Sequence, residues 1–114
     1  NLVDYILFLK ETDEAEQVNE NVPNSRLVEQ FEEVIDALVY ELYFEEDFRQ
    51  AEIEFLKYAT RDFPPVDGLE RAAKIKTVNA AFERLRRTDN EIQTNLKLME
   101  VRLADLITPI KTAR

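Results

Sequence analysis

Residues 27–43 constrain the fold of this chain more than any other stretch of the sequence. Their apolar side chains recur every three or four residues, and neither glycine nor proline interrupts them. The apolar positions are Leu27, Val28, Phe31, Val34, Ile35, Leu38, Val39 and Leu42. This period predicts an amphipathic helix whose apolar stripe faces a core, with Asn24 or Ser25 as its N-cap.

The opposite face of this helix is acidic and carries two aromatic rings, because Glu29, Glu32, Asp36, Tyr40 and Tyr43 share it. We predict that Asp36, Tyr40 and Tyr43 form a second contact face. A tyrosine combines an apolar ring with a polar tip, which suits a wet interface. Either another helix of the chain or the remainder of a larger parent protein would cover these side chains. The alternative is a pair of half-exposed rings.

The rest of the sequence predicts further helices and no strand. One glycine and four prolines among 114 residues leave little turn chemistry, which argues against a β-sandwich or barrel. A dense apolar block at residues 2–9 fits either a buried helix or a strand, and Lys10 and Glu11, which continue it without a turn signal, favour a helix with contacts on two sides. Residues 45–61 predict a single helix, which Pro64 and Pro65 stop because proline supplies no backbone N–H.

Two capping boxes predict where the later helices begin. Asp67 and Glu70 mark the start of one helix, and Thr88 and Glu91 mark the start of the last. The last helix is predicted to end at residues 108–109, where a proline follows a threonine. Each of these boundaries is a local signal that can be read without knowing the fold.

These elements predict a single all-α domain over residues 1–114, a compact bundle of four to five helices with an acidic linker at about residues 12–24. The predicted core consists of Phe31, Ile35, Leu38, Leu42, Phe55, Phe82, Leu96, Met99 and Leu103. The linker carries too few apolar groups to offset the entropy of ordering it. Because the sequence opens inside an apolar pattern without a methionine, we expect the chain to be part of a larger protein.

Composition excludes several kinds of chemistry. The chain has no histidine and no cysteine, so Ser–His and Cys–His nucleophilic sites and most zinc sites cannot be built. Its one glycine, Gly68, excludes a glycine-rich phosphate loop. The carboxylates at residues 29–36 and 45–47 are interpreted as solvated helix faces. We therefore predict no catalytic residue, no metal site and no cofactor, and the lack of cysteine and of a membrane-spanning apolar run favours a cytoplasmic protein.

The net charge of −9 is unevenly distributed. Residues 1–62 hold 17 acidic and 5 basic side chains, a net of −12, whereas residues 63–114 hold 7 and 10, a net of +3. Either the halves neutralise each other within one bundle, or the second half approaches nucleic acid. Lys76, Arg84 and Arg87 share the face opposite the apolar stripe of their helix, and they are our candidate contacts to DNA phosphates, although Glu83 interrupts the ridge.

The segment VIDALVYELY at residues 34–43 resembles a segment near the C-terminus of type IIG restriction-modification enzymes. In those enzymes an adenine-specific DNA methyltransferase is fused to an endonuclease and followed by a C-terminal specificity region. The family's Ile-Asp-x-Leu-Val-Tyr-x-Leu-Tyr run follows a helix of the Leu-Val-Asp-x-Ile-Leu kind, and residues 2–7 (LVDYIL) stand in that place here. Many members continue with Gly-Leu-Thr and soon stop, whereas this chain continues into further helices, as a subset of the family with a longer tail does. The resemblance covers roughly residues 2–60 and is faint beyond them.

The resemblance implies a non-catalytic C-terminal helical domain that supports target recognition or domain assembly in such an enzyme. Its implied partners are the remainder of the parent enzyme and, weakly, DNA, with no membrane. The family's Asn-Pro-Pro-Tyr methyl-transfer motif and its nuclease motif are missing from the sequence, so no catalytic residue is carried over. The alternative, from a different class, is a free-standing acidic helical module for protein–protein interaction. A third hypothesis, that the acidic residues 1–62 mimic DNA, depends on charge alone.

Overall fold

The computed structural model describes residues 2–12 and 16–112, and these residues form seven helices and no strand. The helices are α1 (Leu2–Glu11), α2 (Asn24–Tyr43), α3 (Glu45–Gln50), α4 (Leu56–Asp62), α5 (Arg71–Leu85), α6 (Glu91–Arg102) and α7 (Ala104–Thr112). The prediction of an all-α bundle is confirmed. There are more helices than the four to five predicted because two of the predicted helices are each divided in two.

Phe31 of α2 lies at the centre of the core and joins four parts of the chain. Its ring is fully buried and makes edge-to-face contacts with Tyr5 of α1 at 5.5 Å, Phe63 after α4 at 6.0 Å and Phe82 of α5 at 6.4 Å between ring centroids. Such contacts stabilise a core beyond the area they bury. The bundle is therefore organised around Phe31 in the N-terminal half of α2, and α1 packs along α2.

Most of the predicted core is buried, but the C-terminal half of α2 is not oriented as predicted. The buried side chains of α2 are Asn24, Leu27, Phe31, Val34, Ala37 and Tyr40. At about 100° per residue, the covered side turns by roughly half a revolution between Phe31 and Tyr40. Leu42, which lies within about 20° of Phe31 by the same geometry, is 79% exposed. The prediction of Leu42 as a core residue is therefore wrong, while Ile35, Leu38 and, on the C-terminal side of α6, Leu103 are partly buried.

The single helix predicted over residues 45–61 is also wrong, because a Schellman motif ends α3 early. The N–H of Ile53 donates to the carbonyl of Phe48 at 2.9 Å, and the N–H of Glu52 donates to the carbonyl of Arg49 at 3.1 Å. Glu52 takes a left-handed conformation with φ of 59°. Glycine is the usual residue at this position, and because a glutamate stands here instead, the sequence contains no signal that predicts the break.

Three side chains from distant helices hold the segment between α3 and α4. The Glu41 carboxylate of α2 accepts hydrogen bonds from the two backbone N–H groups at the start of α4, at 2.6 and 3.1 Å. The Asn95 Oδ1 of α6 accepts from the N–H of Glu54 at 3.0 Å, and Arg102 donates to the carbonyl of Ala51 at 2.6 Å. These bonds satisfy backbone groups that the interrupted helix leaves free.

Both predicted capping boxes are wrong. Glu70 is the N-cap of α5, with no side-chain hydrogen bond at that end. The N-cap of α6 is Asn90, whose side-chain oxygen accepts from the N–H groups of Ile92 at 2.8 Å and Gln93 at 3.3 Å. Asparagine is among the strongest N-cap residues, so α6 has an ordinary N-cap, but the N-cap is Asn90 and not the predicted Thr88. The predicted stop is wrong as well, since Pro109 lies inside α7.

The described part of the predicted linker packs against α5. Asn19 is buried and its side-chain amide donates to Asn79 at 2.9 Å and to Glu83 at 2.5 Å. Asn24 does not cap α2: its side chain instead accepts from the N–H of Val18 at 3.0 Å and donates to the carbonyl of Glu16 at 3.3 Å. Side-chain hydrogen bonds therefore connect residues 16–19 to α2 and α5, and residues 13–15 of the predicted linker lie outside the described residues.

Candidate interaction surfaces

The C-terminal half of α2 carries apolar side chains on a side that the core of the chain does not cover. Val39 is 41% exposed and Leu42 is 79% exposed. Leu42 continues the direction of the apolar stripe that the N-terminal half buries, and Val39 is its neighbour three residues earlier on the helix surface. Single exposed apolar side chains are ordinary on protein surfaces. Here, however, they are continuous with a larger apolar surface.

That surface is an open groove of about 1420 Å³ lined by α1, α2, α3, α4 and the segment between α3 and α4. Its exposed apolar edge consists of Val3, Val39, Leu42 and Leu56, and Val3 and Leu56 are 58% and 64% exposed. The buried Phe48 and Phe63 lie beneath it. We call this surface the groove. It is larger and more open than the clefts that enclose drug-sized ligands, and contiguous apolar surface of this kind is typical of protein–protein contact.

The rim of the groove is predominantly acidic. Four glutamates line it, against one arginine and one lysine: Glu41, Glu45, Glu52 and Glu54, with Arg49 and Lys57. Arg49 bridges Glu45 and Glu46, each at 3.7 Å, so its charge is shared with neighbouring acids. The groove therefore combines an apolar floor with a negative rim.

The three residues predicted to form a second contact face on α2 are separated by the structure. Tyr40 is buried within the chain and only 4% exposed, Asp36 is partly buried, and Tyr43 is 77% exposed. Within the part of the chain that the structure describes, the buried Tyr40 hydroxyl has no hydrogen-bond partner. Tyr43 therefore belongs to the outer surface and Tyr40 to the core.

The three predicted DNA-contacting residues also have different surroundings. Lys76 is exposed on α5, and Arg87 is exposed just beyond the end of that helix. Arg84 is partly buried, and its guanidinium donates to the backbone carbonyl of Asp62 at 2.5 Å. Burial raises the pKa of Tyr5 to about 12, and the positive charge of Arg84 opposes that increase. Arg84 is therefore directed into the bundle, while Lys76 and Arg87 are directed outward.

An ion-pair network that was not predicted connects α4 to the start of α6. Arg61 forms a two-point contact with Glu91 at 2.8 and 2.9 Å and donates to Asp62 at 2.7 and 3.1 Å. Asn90, the N-cap of α6, donates its amide to the Asp62 carboxylate at 3.1 Å. Bidentate arginine–carboxylate contacts are among the stronger polar interactions in proteins. The four side chains thus attach the C-terminal end of α4 to the N-terminal end of α6.

The pKa values in this network reflect its hydrogen bonds. The hydrogen bond from Arg61 lowers the pKa of Glu91 to about 2. Burial alone would raise the pKa of Asp62, but the hydrogen bonds from Arg61 and Asn90 and the charge of Arg84 together keep it below its ordinary value. Both carboxylates are therefore charged at neutral pH. Perturbed pKa values also arise in structural ion-pair networks, and this one is satisfied internally.

Among residues 2–12 and 16–112 there is no group of three or more acidic side chains placed to hold a metal ion. The same residues include no helix long and apolar enough to span a membrane. Comparison of the sequence with models of known families, with curated proteins and with solved structures gives no match.

Proposed function

We propose that this chain is a non-catalytic helical domain that docks onto another polypeptide through the groove. The observation that carries the proposal is the exposed continuation of the α2 apolar stripe at Val39 and Leu42, next to Leu56 of α4. Fully burying a leucine side chain is worth about 1.5–3 kcal/mol relative to leaving it in water. A partner that covers this stripe would gain that stabilisation at several adjacent positions.

We further propose that the docking partner is the remainder of a type II restriction-modification DNA methyltransferase/endonuclease, in which this chain supports target recognition or domain assembly. The support is that residues 34–43, which carry the resemblance, form the C-terminal half of α2 and contribute both to the core of the chain and to the groove. They include the buried Tyr40 and the groove residues Val39 and Leu42. A free-standing acidic interaction module is the alternative, and it would use the same groove.

A weak contact with DNA is proposed as an auxiliary role, in the location that the sequence indicated. The exposed Lys76 and Arg87 support it, since both are available to neutralise phosphates. The backbone contact of Arg84 with Asp62 reduces the expected number of phosphate contacts from three to two. Such a contact would help to position a larger protein on DNA without reading bases.

The docking proposal is tested by site-specific photo-crosslinking in the cells that produce the protein. A photoreactive amino acid is placed at Leu42 in one variant and at Val101 in a matched control, because both side chains are 79% exposed and only Leu42 lines the groove. Adducts are digested and identified by mass spectrometry. We expect a defined crosslinked peptide from position 42 and none from position 101.

The identity of that crosslinked peptide separates the two versions of the proposal. A peptide from a DNA methyltransferase/endonuclease, on the same polypeptide or a separate one, supports the restriction-modification assignment. A reproducible peptide from an unrelated protein supports the free-standing module. Equal crosslinking from positions 42 and 101, or none from position 42, would overturn docking through the groove.

A further inference from the structure

We infer that the groove binds an amphipathic α-helix with basic residues flanking its apolar stripe, an inference that rests on the proposed docking function. The apolar residues of α2 that line the groove span about two helical turns, from Ile35 to Leu42. A partner helix of about three turns would place apolar side chains at i, i+3, i+4 and i+7 against these residues. The geometry thus matches helix-in-groove recognition.

Two other modes of peptide recognition do not fit the groove. Strand addition requires an exposed sheet edge, and the described residues contain no strand. Recognition of a polyproline helix requires exposed aromatic side chains, but Phe48 and Phe63, the aromatic residues lining the groove, are each only 1% exposed. The exposed apolar groups of the groove are aliphatic, as expected of a surface that packs against another helix.

The negative charge of the rim indicates which residues should flank the apolar stripe of the partner helix. Glu45, Glu52 and Glu54 are exposed at the groove, while Arg49 is paired with neighbouring acids. The first 62 residues, which contain the whole groove apart from Phe63, carry a net charge of −12. Complementary charge steers association and excludes like-charged competitors. A lysine- or arginine-flanked helix is therefore the occupant that the groove favours.

A second copy of the chain is a less suitable occupant. In a two-fold symmetric dimer the same surface is used by both copies, so two acidic rims would face each other. Like charges brought together at an interface oppose association. The groove of this chain is therefore complementary to a different, basic surface.

The test uses the full 114-residue chain and three helical peptides with one shared apolar stripe. Their flanks consist of lysine, glutamine or glutamate. Binding is measured by fluorescence anisotropy at low and high salt, and the site is mapped by NMR chemical-shift changes of the isotopically labelled chain. We expect the lysine-flanked peptide to bind at least about tenfold more tightly than the glutamate-flanked one at low salt, with a smaller ratio at high salt.

Matched variants separate the apolar and the electrostatic contributions. Leu42→Ser should abolish binding of the lysine-flanked peptide, whereas Val101→Ser should leave it unchanged, because the two residues are equally exposed and only Leu42 lines the groove. Glu54→Lys at the rim should reduce the preference for lysine flanks. Glu20→Lys makes the same change in net charge at an exposed residue outside the groove, and should have little effect.

The outcomes distinguish this inference from the docking proposal itself. If the glutamate-flanked peptide binds in the groove as tightly as the lysine-flanked one, the basic partner is wrong while docking through the groove stands. If Glu20→Lys and Glu54→Lys reduce binding equally, the rim does not select charge and the inference fails. A dimer in sedimentation velocity that Leu42→Ser disrupts would make a second copy the occupant and overturn it. If no peptide shifts groove resonances and position 42 forms no crosslink, both proposals fail.

Discussion

The two halves of α2 carry the same apolar period but are covered on different sides. In the N-terminal half the stripe faces the core, where Phe31 contacts three other rings. In the C-terminal half the core covers Ala37 and Tyr40, and the stripe continues outward to Leu42. The difference teaches that an amphipathic period identifies an apolar face without identifying what covers it. At the end of this helix the uncovered face is the groove.

The largest expected difference between the two halves is in stability. Phe31→Ala should reduce the free energy of unfolding by about 3–5 kcal/mol, because it removes a fully buried ring at the centre of the core. Leu42→Ala should change it by less than about 0.5 kcal/mol, since that side chain is largely in water. Urea unfolding of the two variants measures both values. Equal losses would show that the halves of α2 do not differ in this way.

A smaller effect is expected from Glu41, which connects the C-terminal half of α2 to α4. Glu41→Ala should cost about 1–2 kcal/mol, because it removes the carboxylate that accepts both N–H groups at the start of α4. Glu32→Ala, at an exposed acid of the same helix, is the matched control and should be close to neutral. Thermal or urea unfolding gives the comparison. If Glu41→Ala leaves the free energy of unfolding unchanged, this cap does not stabilise the start of α4 next to the groove.

The buried side of the C-terminal half can be tested with Tyr40. Tyr40→Phe should increase stability by about 1 kcal/mol, because it removes a buried hydroxyl that has no hydrogen-bond partner in the described residues. Tyr43→Phe, at a side chain that is 77% exposed, should have almost no effect. Urea midpoints of both variants check this difference. A destabilised Tyr40→Phe variant would show that the hydroxyl makes a favourable bond in solution.

Acid should weaken the packing around Phe31, in the N-terminal half of α2, through the ion-pair network of Arg61, Asp62 and Glu91 next to Phe63. Asp62 immediately precedes Phe63, whose ring contacts Phe31. Because folding lowers the pKa of Asp62 and Glu91, their stabilising contribution is present above the ordinary carboxyl pKa of about 4. It is lost as pH falls through the folded values, which for Glu91 is about 2. Urea unfolding between pH 6 and pH 2 should show this decline.

The control for that pH dependence is Glu91→Gln, which removes the titrating group while leaving a side chain of similar size. Its stability should be lower than that of the unmodified chain at pH 6 and should fall less between pH 4 and pH 2. If the two curves remain parallel over this range, Glu91 does not titrate with the lowered pKa.

The smallest expected effect concerns DNA, on the part of the molecule away from the groove. Two phosphate contacts, from Lys76 and Arg87, should give weak binding whose log–log dependence on salt has a slope of about −2. Anisotropy titrations of the chain with duplex DNA measure the slope, and Lys76→Ala/Arg87→Ala should remove the binding. A slope near −3 that Arg84→Ala reduces would show that Arg84 leaves the Asp62 carbonyl to contact DNA. Binding that Leu42→Ser abolishes would instead place the contact in the groove.

The sequence by itself determined the all-α class, the position of α2 and the end of α4 before Pro64 and Pro65. These features depend on interactions between residues a few positions apart, such as the apolar period and the missing N–H of proline. Part of the core was predictable for the same reason, since five of the nine predicted core residues are buried. Phe31, Phe55 and Met99 were expected to be buried, and each is at most 2% exposed.

Only the tertiary structure decided which side of the C-terminal half of α2 is covered and where α3 ends. The break at Glu52 has no glycine that would predict it from the sequence. The segment after the break is held by Glu41, Asn95 and Arg102, which lie 14, 41 and 51 residues from the backbone groups they bind. Contacts of such sequence separation leave no periodic signal, because the chain must first fold to bring them together. The groove arises from these long-range contacts, so its apolar residues were visible in the sequence while their exposure was not.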